Sequence, residues 1–99
     1  MSEKKPAERK LEIQLDEETA QGVYANLAMV NHTDAEFTID FIFVQPQAPK
    51  AKVRSRVVTS PRHLKRLIGA LQENLRRYEQ LHGPVAAAPA PQTDDANYH

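Results

Sequence analysis

The chain has 99 residues, no cysteine, and 13 Lys/Arg balanced by 13 Asp/Glu. That length holds one hydrophobic core and no second domain, and the missing cysteines exclude a disulfide framework and any thiolate metal site. The net charge of zero hides an asymmetry: residues 11–49 carry seven acids and no Lys or Arg, whereas residues 50–83 carry nine Lys/Arg against Glu73 and Glu79.

Residues 1–10 are charged and interrupted by Pro6, and they read as a disordered N-terminal segment. They lack the apolar stretch of a signal peptide, and nothing in the chain has the length of a membrane span, so a cytoplasmic protein with no membrane partner is expected. "LEIQL" (11–15) alternates apolar and polar residues, the period of a half-buried strand. "DEETAQG" (16–22) breaks that period and reads as an acidic connection. "VYANLAMVN" (23–31) predicts a second strand, with Asn31 and Asp34 as turn formers. "FTIDFIFVQ" (37–45) predicts a third strand, and after the Pro-rich turn "PQAPK", residues 51–59 predict a fourth. Short connections between consecutive strands favour an antiparallel meander.

The helix signal is local and strong. Ser60 suits the N-cap and Pro61 the first helical position, where its missing N–H costs nothing. Leu64, Leu67, Ile68, Leu71, Leu75 and Tyr78 then recur at helical spacing, with Arg62, Lys65, Arg66, Arg76 and Arg77 on the far side. Gly83 fits a left-handed C-terminal position and Pro84 stops the helix. Residues 84–99 form an Ala/Pro-rich tail read as disordered. The expected fold is α+β: a four-stranded antiparallel β-meander followed by one long C-terminal helix (ββββα), as a single domain over 11–83. "FIFV" (41–44) is apolar on both faces of its strand, and so small a core makes a homodimer the expected source of cover.

Residues for catalysis are nearly absent. His32, Asp34 and Glu36 imitate a ligand cluster but occupy a hairpin tip, where polar side chains serve the turn and the solvent. His82 suits the end of the helix dipole. No nucleophile elbow, Gly-rich phosphate loop or zinc signature is present. Neither enzyme activity, a metal nor a cofactor is expected.

The basic half points to a polyanion. Lys52, Arg54 and Arg56 alternate with Val53, Ser55 and Val57, which places cations about 7 Å apart along one strand face. That spacing suits the phosphates of an extended single strand, and Lys50 lengthens the row. Arg62, Lys65 and Arg66 at the helix start add further contacts. Tyr24 is the expected stacking side chain, with Phe37 a second candidate, and Asn26 shares the face of Tyr24. The expected partner is therefore single-stranded DNA or RNA. A competing reading pairs Glu36 and Asp40 of the third strand with Arg54 and Arg56, which consumes the patch internally. A third assigns the apolar sheet face to a protein partner.

"GVYANLAMVNH", "FTIDF" and "KVRSRVVTSPRHLKRLIGALQENLRRYEQLHG" together resemble a family of small bacterial proteins, domain of unknown function 3467, over about 11–83. The resemblance implies a bacterial origin and a compact domain, and implies no activity. The β-β-β-β-α order and "SRVVTSPRHLKRLIGALQENLRRYEQLHG" are also similar to the repeat of purine-rich-element (PUR) proteins, and the whirly proteins share a related plan. Ser55, Arg56, the apolar helix stripe, Tyr78, Leu81 and Gly83 carry that similarity. It implies two intertwined units binding a single nucleic-acid strand. The export chaperone SecB resembles the chain in architecture alone, and implies a binder of unfolded protein segments.

Overall fold

One hydroxyl organises the first hairpin. Thr33 Oγ1 accepts hydrogen bonds from the N–H groups of Ala35 and Glu36, both at 3.1 Å, and the Thr33 N–H donates to the Glu36 carbonyl at 2.9 Å. The reversal sets β1 (Leu27–His32) antiparallel to β2 (Phe37–Val44), with Val30 opposite Ile39 and Met29 opposite Asp40. At the second reversal the Gln45 N–H donates to the Lys50 carbonyl at 3.0 Å, and the chain enters β3 (Ala51–Thr59). The result is an antiparallel sheet in the order β1-β2-β3.

This computed structural model describes residues 10–89, which fall into two units, one ending at Val58 and one beginning at Thr59. The first unit contains a single short helical turn, α1 (Glu17–Ala20), and the sheet; the second contains α2 (Pro61–His82). The sheet's core sits on its middle strand. Among the described residues only Ile39, Ile42 and Asp40 are buried, and all three belong to β2.

The second unit follows its local code. Ser60 caps α2 by accepting from the His63 N–H at 3.2 Å, and Pro61 occupies the first turn. Helix bonding ends where the Gly83 N–H donates to the Glu79 carbonyl at 2.8 Å. Gly83 has φ +94° and ψ 168°, so its backbone is extended with positive φ rather than left-handed helical as expected. That region is also reserved for glycine. The Glu79 carboxylate then accepts from the Val85 N–H at 2.9 Å. The apolar stripe is real but uncovered: Leu67, Ile68, Leu71, Leu75, Tyr78 and Leu81 are all exposed.

The expected α+β class, with antiparallel strands ahead of a C-terminal helix, is what the chain forms. The fourth strand is not among its described elements. Residues 11–15 lie outside the sheet, and Leu11, Ile13 and Leu15 expose 87%, 86% and 68% of their surface. A period of two makes a segment fit to be a strand, but a strand exists only where a neighbour supplies the other half of its hydrogen bonds. The next strand begins at Leu27 rather than Val23, because Asn26 ends the ladder with its side chain. The acidic connection holds α1, capped by Asp16, which accepts from the Thr19 N–H at 2.8 Å. Asn31 lies inside β1, leaving the turn to Thr33. The unstructured ends expected at 1–10 and 84–99 lie for the most part outside the described residues.

Removing the cap of α2 tests this local account. Ser60→Ala is expected to cost about 1 kcal/mol, read as a lower thermal midpoint of the helical circular dichroism signal. An unchanged midpoint would mean that the cap does not hold the start of the helix.

Candidate nucleic-acid interface

The cationic strand divides into two parts. Arg56 turns inward to Asp40: its Nε donates to one carboxylate oxygen at 2.6 Å and an Nη to the other at 2.8 Å. The carboxylate is 0% exposed while the Arg56 side chain is 51% exposed, so the guanidinium closes over a buried charge. A bidentate pair of this kind satisfies both oxygens in one fixed geometry. Arg56 is thereby committed to the sheet.

Lys50, Lys52 and Arg54 have a different setting. They line a cleft of about 630 Å³ together with Phe43, Gln45 and Pro49. Its lining comes from the end of β2, the Pro-rich reversal and the start of β3. Among the described residues, none of the three cations is in an ion pair with a carboxylate. Glu36, expected opposite Arg54, gives its main-chain N–H to Thr33 and enters no ion pair among the described residues. The internal-pairing expectation is therefore met for Asp40 with Arg56 and not for Glu36 with Arg54.

Tyr24 reaches the same neighbourhood. Its ring meets Phe43, which lines the cleft, edge to face with centroids 6.1 Å apart, and 70% of Tyr24 remains exposed. Asn26 positions it. The Asn26 side chain accepts from the Val44 N–H at 2.8 Å and donates to the Val44 carbonyl at 3.1 Å, and its own N–H donates to the Ile42 carbonyl at 3.0 Å. A side-chain amide here imitates a strand residue, so Asn26 braces the end of β2. Phe37, the second stacking candidate, packs instead against His32, its cross-strand partner, at 5.2 Å.

Arg62, Lys65 and Arg66 lie exposed on the first turns of α2, in the second unit, and enter no ion pair among the described residues. Further along, Glu73 accepts from Arg76 and Arg77. The Arg76 hydrogen bond, and then that of Arg77, holds the Glu73 carboxyl below its usual range. Thr19 does the same for Asp16. The Glu73 ion pairs are solvated, and pairs of that kind contribute little to stability.

The site therefore brings together Lys50, Lys52, Arg54 and Tyr24, assigns Arg56 and Asn26 to the framework, and adds Phe43 and Gln45. Phe43 was hidden in the sequence by its place in a fully apolar run, "FIFV", where nothing marks one ring as facing a cleft. His32, Asp34 and Glu36 gather no metal-binding group, and no set of three or more potential ligands is present among the described residues. No helix among these residues is long and apolar enough to cross a membrane.

Removal of Arg56 is expected to be more damaging than removal of the charge it covers. Arg56→Ala takes the guanidinium from a carboxylate held out of water and should cost about 3 kcal/mol in urea unfolding. Asp40→Asn leaves a half-exposed arginine that water can serve, and should cost less. The reverse order would show that the pair is not what stabilises this part of the sheet.

The family model described as "Protein of unknown function (DUF3467)" matches residues 1–87. No curated protein matches the chain, and no solved structure does.

Proposed function

We propose, for a chain that belongs to the DUF3467 family of proteins of unknown function, that it is a non-enzymatic accessory protein of the cytoplasm that holds single-stranded DNA or RNA. The phosphates lie along Lys50, Lys52 and Arg54, and a base stacks on Tyr24. The observation that carries this reading is the cleft itself: three cations without acidic partners among the described residues, beside an aromatic pair. Residues two apart on a strand repeat at about 7 Å, a step that an extended nucleic-acid backbone can match. Stacking on an exposed ring favours single strands, whose bases are free, and discriminates little between sequences.

In this reading the protein is a homodimer whose sheet is completed to four strands by residues 11–15, a plan akin to that of the PUR and whirly proteins. Arg62, Lys65 and Arg66 on α2 are a separate set of cations that are not counted in the cleft. The exposed stripe of α2 favours a second reading, a protein-interaction or SecB-like module that takes apolar segments. Salt separates the two, because phosphate binding releases counterions and apolar binding does not.

Fluorescence anisotropy of a labelled single-stranded oligonucleotide is the test. Three phosphate contacts predict binding about 20-fold weaker for each fourfold rise in salt. Lys52→Glu with Arg54→Glu should abolish both the binding and its salt dependence. Tyr24→Ala should weaken binding about fivefold while leaving the salt slope unchanged. Arg56 is unsuitable for this test, since a glutamate there would face the buried Asp40 and damage the sheet. Salt-independent binding, or binding that survives the double charge reversal, would reject the cleft as a phosphate site.

A further inference from the structure

We infer that residues 11–15 form an edge strand on β3 of a second copy of this chain, each copy donating one strand and receiving one. The inference deepens the homodimer reading and does not depend on nucleic-acid binding.

Three observations meet here. Residues 11–15 have strand periodicity, yet they belong to no strand among the described elements and leave Leu11, Ile13 and Leu15 exposed. An alternating apolar segment in water is a strand without a neighbour. The sheet order β1-β2-β3 leaves β3 as an edge, nine residues long, with Val53, Val57 and Val58 exposed. An edge of that length offers unpaired N–H and C=O groups to a strand of five residues with room to spare.

Charge then selects between the two edges. The donated segment carries Glu12 and leads into Asp16, Glu17 and Glu18, with no Lys or Arg from 11 to 49. Strand β1, the other edge, has no Lys or Arg, whereas β3 and its approach carry Lys50, Lys52 and Arg54. An acidic strand is drawn to the basic edge. Beside β3, Glu12 comes within reach of the cleft cations while Leu11, Ile13 and Leu15 share a face with one set of exposed valines.

The connection permits exchange. Residues 16–26, with α1 inside them, span up to about 30 Å when otherwise extended. The exchange is reciprocal, so the same two surfaces occur on both copies and the assembly closes as a twofold dimer.

The absence of native cysteine makes the test clean. Two full-length chains with different tags, one Ile13→Cys and the other Val53→Cys, are mixed and treated with a bismaleimide long enough to span several registers. A covalent dimer carrying both tags is expected. In parallel, light scattering on the unmodified chain should report a dimer, and Ile13→Pro should weaken it at least tenfold, because proline removes a ladder donor. Ile13 has no strand partner among the described residues of its own chain, so the helical circular dichroism signal of Ile13→Pro should be unchanged. A monomer at all concentrations, a dimer indifferent to Ile13→Pro, or, in a third chain given both substitutions, cross-linking only within that chain would each overturn the proposal. The last would put the strand on its own sheet. Oligonucleotide anisotropy on the same samples reads the cleft separately: absence of a dimer rejects strand exchange whatever the binding result, and absence of binding leaves strand exchange as measured.

Discussion

A carboxylate without contact with water sits on the middle strand of this sheet, and the rest of the sheet is arranged around it. Asp40 lies near Ile39 and Ile42, the two buried apolar side chains among the described residues. Desolvating it costs several kcal/mol unless an opposite charge meets it with good geometry, and Arg56 does so through two short bonds from the neighbouring strand. The pair thus ties β3 to β2 at one point. It does not set the register alone, since Arg54 stands two residues away and could serve Asp40 after a slip of two. The hydrogen bond from Gln45 to Lys50 removes that freedom by closing the reversal at a defined place. Two weak specifications, one polar and one of loop length, together select a single pairing.

That selection has a functional side. Because Arg56 is used for the fold, Arg54 is left to the cleft with Lys50 and Lys52. The neutral formal charge of the chain is therefore a poor guide to its surface. Acids are consumed in specific places: Asp40 by Arg56, and Glu73 by Arg76 and Arg77. The cations beside the Pro-rich reversal keep their charge available, and a low-dielectric wall such as Phe43 strengthens the field they present to an anion.

How much of this could be read from residues alone depends on how local each cause is. Helix α2 was legible from end to end, because its period, its Ser-Pro start and its glycine stop all act within a few residues of one another. The second reversal is legible for the same reason and the first only in part, since Asn31 falls inside β1 and Thr33 holds the turn, while β3 has the bounds that its alternation predicts. The pairing of Asp40 with Arg56 was visible as one of several possibilities, but only the reversal between β2 and β3 decides which arginine is consumed. The bonds from the Asn26 side chain to Val44 are not legible in the sequence, because a side-chain amide that imitates main chain leaves no periodic trace. Residues 11–15 show the deepest limit. Alternation reports which side chains share a face, whereas strand formation depends on a partner that need not be in the same chain.

The exposed residues 11–15 and the exposed stripe of α2 have a common implication. A chain of this size buries few side chains when it folds alone, and large apolar side chains are left exposed among the described residues. If two copies exchange strands as proposed, stability would depend on protomer concentration. Strand exchange at β3 would also bring Glu12 of one copy beside Lys52 and Arg54 of the other, placing an acid at the rim of the cleft. A polyanion and a partner's acidic strand would then draw on the same cations, while the twofold axis would present two clefts to one ligand. Opposed local charge and doubled valency act in contrary directions on affinity. For a long strand able to reach both clefts, valency dominates, because the second contact is made at a high effective concentration. Short oligonucleotides gain nothing from the second cleft and meet the acid in full, so length is the variable on which such a protein would discriminate.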